Sequence, residues 1–320
     1  MHIELDIGVE MSTIELRTAR KMAGGSMSEQ FPESSNVAIE NLLTEGIRQL
    51  EEHIDSDVLG FSGSLVYSVD DFVRDAIERI KDKKETLMFI IETNGGYLLP
   101  VERIASILRH HYKTVNFLVP NFAMSAGTVL VMSGDDIYMD YYSVLGPIDP
   151  QVDSPGGNMV SAIGYLKEFE KFVGLSNDGK LSSAELAFML NKFDPGTLYH
   201  YDQEKQLATS LIEDWLIRYK FKNWTVTETK NETVTHERKK LTAKNIADRL
   251  NSPEMWHSHS RGISKKTLEE VVELRIKDFS ADSELNKRTR SYFRLLKDYW
   301  MRRRHSLVIH TRHGYDGWGQ

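Results

Sequence analysis

Leu87-Met88-Phe89-Ile90-Ile91-Glu92-Thr93-Asn94-Gly95-Gly96 and Phe117-Leu118-Val119-Pro120-Asn121-Phe122-Ala123-Met124-Ser125-Ala126-Gly127-Thr128 share one layout. A short apolar run stops at a turn, small residues follow, and a helical pattern begins. Apolar runs of this length bounded by Gly or Pro read as strands buried on both faces, as in a parallel sheet. Small residues at the turn let backbone N–H groups face a ligand where the helix starts. A third stretch, Val144-Leu145-Gly146-Pro147-Ile148-Asp149-Pro150, closes the region. Ser125 lies in the second turn, where its hydroxyl can point outward.

The same rhythm continues on both sides. Ile104, Ala105, Ile107 and Leu108 predict a helix between the two runs, and 126–133 predicts another before a strand at 136–139. Upstream, 58–67 reads as strand plus loop, with Gly60 and Gly63 as punctuation. Ser68 is a good N-cap for a helix with Asp70 and Asp71 in its first turn. Its apolar face is Phe72, Val73, Ala76, Ile77 and Ile80. This β-α-β-α-β order implies an α/β fold with parallel strands and right-handed crossovers. Before it, residues 2–19 alternate in places and suggest one or two strands. Residues 22–35 read as a loop, and 37–54 as a helix with Ile39, Leu43, Ile47, Leu50 and Ile54 on one face.

After Pro150 the pattern turns helical, at 161–172, 182–192 and 202–220. Residues 222–240 are polar and charge-dense, a linker or exposed hairpin. Thr242 and Ser264 are the expected caps of two further helices. Leu285, Thr289, Tyr292, Leu296 and Tyr299 mark a last one, followed by Arg302-Arg303-Arg304. The expected organisation is an N-terminal arm (1–56), a core (57–221), the linker (222–240) and a helical C-terminal extension with a basic tail (241–320).

Composition excludes several classes. A net charge of −7 argues against a globally basic nucleic-acid binder. The absence of cysteine excludes a thiol nucleophile, a disulfide scaffold and a Cys-ligated metal. Residues 1–20 carry acids and lack an apolar core, unlike a signal peptide. The most apolar stretch, 115–133, is broken by Asn116, Pro120, Asn121, Ser125, Gly127 and Ser133, unlike a membrane span. A soluble, cytoplasmic protein is the expectation. No His-Glu-x-x-His motif is present, and no metal or other cofactor is expected.

An acyl-transfer serine needs exposure, a base and an oxyanion hole. The Ala126 amide offers one oxyanion donor. The Gly95 and Gly96 amides offer a second if the two strand ends are neighbours. Asp149, between two prolines, reads as a turn cap or as a group that binds substrate or orients the base.

The Asn-Gly-Gly and Met-Ser-Ala-Gly turns resemble the active-site frame of the ClpP/crotonase superfamily. Glu92-Thr93-Asn94-Gly95-Gly96, Met124-Ser125-Ala126-Gly127-Thr128 and Leu145-Gly146-Pro147-Ile148-Asp149-Pro150-Gln151 together resemble the serine dehydrogenase proteinase family, relatives of the signal peptide peptidase SppA and of ClpP. The resemblance covers roughly 57–220. It extends more weakly through Trp256-His257-Ser258-His259-Ser260-Arg261-Gly262-Ile263, where Ser260 and Gly262 stand in place of the usual Gly and Pro. It implies a ClpP/crotonase-type spiral of βαβ units, a homo-oligomer and a polypeptide substrate.

ClpP-type enzymes use a histidine after the nucleophile. Here none lies between Ser125 and His200. SppA-like enzymes use a desolvated lysine, and the resemblance puts that lysine at Lys167, with Lys171 as substitute and Thr128 as a possible hydrogen-bond partner of Lys167. The implied chemistry is peptide hydrolysis by a Ser125–Lys167 dyad. Two alternatives remain open: a crotonase-like acyl-CoA enzyme, and a non-catalytic scaffold that binds a partner through 222–320. His257 and His259 read as packing or interface residues, with a remote active-site role open for the His259 segment. The basic, aromatic stretch 285–304 reads as a solvated helix face, or as a docking surface for an acidic protein or nucleic acid.

Overall fold

Continuous apolar runs form strands in this protein because both faces of the sheet are covered. Along residues 86–92 the side chains alternate between two cores. Leu87, Phe89 and Ile91 fall in one buried cluster, and Met88 and Ile90 in the other. The computed structural model describes residues 34–153, 159–227 and 231–319. The strands expected in 2–19 and most of the loop expected at 22–35 lie outside the described residues. Ile39–Gln320 forms one compact unit. Of the unit before it, 34–38 are described, where a helix opens with Ala38 N donating to Ser34 O at 3.0 Å.

In chain order the elements are α1 (Ser35–Ile54), β1 (Asp57–Gly63), α2 (Val69–Glu78), β2 (Thr86–Glu92), α3 (Leu98–His111), β3 (Thr114–Leu118), β4 (Phe122–Ala123), α4 (Ala126–Val131), β5 (Asp136–Met139) and β6 (Val144–Leu145). A small ribbon of β7 (Gln151–Asp153) and β8 (Met159–Ser161) leads to α5 (Ala162–Asn177), α6 (Ser183–Lys192) and α7 (Pro195–Trp215). A π-turn at Leu216–Lys220 ends α7. Then come α8 (His236–Leu250), β9 (Ile263–Ser264), β10 (Lys277–Asp278), α9 (Ser283–Arg303), β11 (His305–Thr311) and β12 (Gly314–Gly319).

The main sheet has the order β10-β5-β3-β2-β1-β11-β12. Its first five strands are parallel, and β11 and β12 continue it antiparallel. A second, three-stranded layer runs β4-β6-β9. One core packs β1–β3 against α2, α3, α4, α7 and α8. Within it the Phe89 ring lies 5.9 Å from Phe61, edge-on, and 5.4 Å from Phe117, stacked. Each such buried ring contributes about 1.5–3 kcal/mol. The other core packs Leu43, Ile47 and Leu50 of α1 against Tyr292, Phe293, Leu296 and Tyr299 of α9.

Several local expectations change. Ser68 sits at the N-cap position of α2 in a left-handed conformation (φ 72°) and makes no side-chain cap. Thr242 lies inside α8. The cap is Thr235, whose Oγ1 accepts from Arg238 N at 3.2 Å. Helix α7 starts seven residues before the expected 202, because Asp194 accepts from Thr197 N at 2.7 Å with Pro195 in the first turn. Ser264 caps as expected, accepting from Thr267 N at 3.3 Å. The C-terminal region is not wholly helical. Leu307, Val308 and Ile309 are buried as β11 beside β1. Within 39–56, Leu43, Ile47 and Leu50 of α1 pack into the second core.

Candidate active site

Strand β4 delivers Ser125 to the start of α4. Met124 N donates to Thr93 O at 2.9 Å, which docks this turn beside the end of β2. Thr128 N donates to Ser125 O at 2.8 Å and starts the helix behind it. Between these anchors Ser125 adopts φ 52°, ψ −121°, a conformation L-residues rarely occupy. Such backbone strain costs about 1–3 kcal/mol and persists where the surroundings hold it. A sharp strand-to-helix turn of this kind presents a serine Oγ to the space above the helix N-terminus. That space is a cavity of about 880 Å³, lined by Ser125, Ala126, Gly95, Gly96, His259 and the apolar side chains of Val66, Tyr67, Tyr97 and Leu99.

The turn is packed tightly enough to dictate its neighbours. A Cβ on Gly95 (φ 103°) would come within 2.8 Å of the Ser125 Cβ and 3.2 Å of the Ala126 N. A Cβ on Gly146 would come within 3.0 Å of the Ser125 N. Three amides were expected to face the site, and their surroundings differ. Gly95 N already donates to Thr93 Oγ1 at 3.0 Å. Gly96 is bracketed by Leu65 N to Gly95 O (2.8 Å) and Tyr97 N to Leu65 O (2.9 Å), which leave its own N–H outside that ladder. Ala126 is the first residue of α4, so its N–H has no partner within the helix. The Gly96 and Ala126 amides are thus left outside the local backbone ladders, while Gly95 is the close-packed spacer.

Two residues meet across the second layer. Asp149 follows β6, and His259 precedes β9. Those strands pair antiparallel, with Leu145 opposite Ile263. Four residues further along that register, Asp149 and His259 face each other. His259 Nδ1 lies 2.9 Å from Asp149 Oδ1. The Asp149 side chain is 4% exposed and that of His259 14%. Ile148 N donates to Leu250 O at 3.1 Å, fixing the Asp149 turn to the end of α8. A carboxylate at Nδ1 leaves Nε2 as the second functional nitrogen, and His259 lines the same cavity as Ser125. A nucleophile-type turn, an imidazole and a buried carboxylate thus share one site.

The expected lysines stand elsewhere. The Lys167 ammonium pairs with Glu254, both side chains about half exposed, and Lys167 does not line the Ser125 cavity. Lys171 is exposed and pairs with Glu168 at 3.3 Å. Neither ammonium is buried. Thr128, expected near Lys167, is fully buried. Its Oγ1 has Ala123 O (2.8 Å) and Gly146 O (2.9 Å) within reach of its one hydrogen and accepts from Gly146 N at 3.0 Å, tying β4, α4 and the Gly146 turn together. His257, the other histidine of its segment, is exposed at the left-handed end of a short helix, Pro253–Trp256.

The 285–304 stretch divides by face. Tyr292, Phe293 and Tyr299 are buried in the second core. Arg290 pairs with Asp140, Lys297 with Glu92 at 3.2 Å and Arg288 with Glu284 at 2.7 Å. With Arg302 to Asp298, four of the cations in this stretch form ion pairs within the chain. Among the described residues no three His, Asp or Glu side chains gather as a metal would require. None of the described helices is long and apolar enough to cross a membrane.

Residues 57–173 match the family model of ClpP-like SDH-type serine proteinases. This segment belongs to that family. The mixed α/β architecture, a mostly parallel sheet flanked by helices, is the ClpP-like fold. The family segment holds Ser125, Gly96, Ala126, Asp149 and Lys167, while His259 comes from beyond it. Two uncharacterized proteins of Methanocaldococcus jannaschii are similar to the chain. One is 38% identical over 86 residues, 27% of this chain and 30% of the relative. The other is 34% identical over 94 residues, 29% of this chain and 32% of the relative. The chain thus spans about a third of the length of the curated relatives it matches.

His259 does not follow the ClpP order, histidine soon after serine, so its segment reads from sequence only as packing or interface with a remote active-site role open. A usable signal was present in the His259-Ser260-Arg261-Gly262-Ile263 segment, which carried part of the family resemblance.

Proposed function

We propose that this chain is a serine peptidase in which His259, oriented by Asp149, is the base for Ser125. The observation that carries this reading is the 2.9 Å pairing of His259 Nδ1 with buried Asp149 beside the Ser125 turn. His259 Nε2 takes the proton from Ser125 Oγ as that oxygen attacks a peptide carbonyl. Asp149 holds the imidazole in the required tautomer and stabilises its cation. The Gly96 and Ala126 amides receive the oxyanion. The imidazolium then protonates the leaving amine, and water, deprotonated by the same imidazole, releases the acyl group. The exposed apolar wall of Val66, Tyr67, Tyr97 and Leu99 suits a flexible polypeptide with an apolar side chain next to the cleaved bond.

A homo-oligomer is part of the proposal. Helix α6 has no buried residue, and it leaves Leu186, Phe188 and Leu190 exposed, with Phe188 beside Phe172 and Phe193. An apolar face of this kind suits contact with a second copy.

The test is a fluorophosphonate probe followed by peptide mapping. The adduct is expected on Ser125 and is lost in Ser125→Ala. Absence of any adduct, with turnover of an acyl-CoA thioester, would return the protein to the crotonase-like alternative. Biological activity undiminished in Ser125→Ala would favour the scaffold.

A further inference from the structure

The cavity above Ser125 has a wall that the proposed chemistry does not use. Helix α7 contributes Glu204, Leu207 and Ala208 to its lining. The spacing along α7 explains why a carboxylate faces inward there. Ala208, Leu211, Ile212 and Trp215 are its buried residues, a stripe at helical spacing. Glu204 lies one turn before Ala208 on that stripe, where an apolar residue would extend the core. The helix is held in this orientation from α8. Asn251, at the end of α8, donates from Nδ2 to Thr209 Oγ1 at 3.2 Å. Glu204 is half-buried on the inward face.

Its carboxylate has no hydrogen-bond or ion-pair partner among the described residues. The rest of the lining does not answer it. Among the described residues no Lys or Arg lines the cavity, and the His259 imidazole is already engaged by Asp149. The charge of this wall is therefore of one sign, with Glu204 in it and Asp149 behind His259. A cleft with charge of one sign and apolar walls focuses its field and draws the opposite charge. A half-buried carboxylate without a partner gains most from a cation that brings its own N–H donors.

We propose that Glu204 selects the substrate by charge. The cavity takes polypeptides with a Lys or Arg side chain near the cleaved bond, and the ammonium or guanidinium rests on the Glu204 carboxylate. This side chain is a different one from that held by the apolar wall of Val66, Tyr67, Tyr97 and Leu99. Leu207, Ala208 and Ile148 cover its methylene stem. An acidic residue at the same position is disfavoured. The inference rests on the peptidase reading and adds the charge class of the substrate to it.

The test reads binding apart from cleavage. Full-chain Ser125→Ala protein is titrated calorimetrically with N-acetylated, C-amidated apolar peptides in which a single Arg is moved along the sequence. The same peptides with citrulline or Glu in its place are the comparators. A citrulline peptide with a free N-terminus reports whether an α-ammonium is the cation instead. At one or more positions Arg is expected to bind about tenfold or more tighter than citrulline, and Glu more weakly than citrulline. In Glu204→Gln the Arg and citrulline peptides should bind alike. In Glu204→Lys the order should invert, with the Glu peptide tightest, an outcome that mere loss of folding does not give. The proposal is overturned if no peptide binds saturably, if Arg and citrulline bind alike, if the preference survives Glu204→Gln, or if only the free N-terminus is favoured. Absence of the fluorophosphonate adduct on Ser125, with the Arg preference intact, would count against the peptidase chemistry alone.

Discussion

His259 and His310 are both held by hydrogen bonds, in two regions that use an imidazole in opposite ways. His310 lies at 0% exposure in the second core, where Nδ1 meets Tyr292 Oη at 3.0 Å and Nε2 meets Thr44 Oγ1 at 3.4 Å. Burial alone drives its proton affinity down to about 3, so the ring stays neutral and acts as a polar brick between α1, α9 and β11. His259 has a carboxylate on one nitrogen and a cavity at its back. The difference lies in the partner and in the free side. A hydroxyl on each nitrogen closes a histidine into structure, whereas a carboxylate on one and open space beside the ring are what the proposed role of His259 requires.

The largest expected effect tests the catalytic half of that contrast. His259→Ala should lower the rate of peptide hydrolysis by about 10³–10⁴-fold or more, and Asp149→Asn by a similar factor through the wrong tautomer. Circular dichroism melts should show both variants folded. A His259→Ala enzyme that keeps its rate would remove histidine from the mechanism.

A smaller effect, read in stability, concerns His310. Its folded pKa lies below the ordinary 6.5 of the unfolded chain. Above about pH 6.5 the ring is neutral in both states. Between about 6.5 and 3 the unfolded chain binds a proton that the folded one refuses, so stability is lost as pH falls, by about 1.4 kcal/mol per pH unit. Urea melts of wild type and His310→Phe across that window should converge toward low pH. Parallel curves would mean that His310 is not held neutral.

The smallest expected effect is at Lys167. Its exposed pair with Glu254 contributes about 0–1 kcal/mol to stability, and because Lys167 does not line the Ser125 cavity, Lys167→Ala should change kcat/KM by less than about twofold. If Lys167→Ala abolishes the fluorophosphonate adduct while His259→Ala keeps it, the lysine dyad is the mechanism and His259 joins His310 as structure.

Much of the central frame was legible, for a local reason. Strands such as β2 are buried on both faces, so their apolar runs announce themselves, and the turns after them need small residues whatever else they do. Ser125, Gly96 and Ala126 fall in that class. The aromatic stripe of α9 was legible as core by its spacing. The Asp149–His259 pair was not, because it depends on the register of β6 against β9, two strands of two residues each, far apart in the chain. Nothing near either residue encodes that register. The direction of Lys167 was not legible either, because a helical lysine near a serine in sequence can still point to solvent, as it does toward Glu254. Strands β11 and β12 were hidden behind a basic helix end. Their placement becomes readable only once β1 is seen to need a neighbour.

That placement bears on how the protein is made. Phe61 of β1 pairs with Ile309 of β11, 248 residues later (309 − 61). At a synthesis rate of about 5–20 residues per second, the ribosome leaves the β1 edge open for roughly 10–50 s. His259 emerges 134 residues after Ser125 (259 − 125). In the proposed mechanism, a nascent chain therefore carries its nucleophile well before its base. It is most exposed to stray partners during the interval in which it cannot yet cut them.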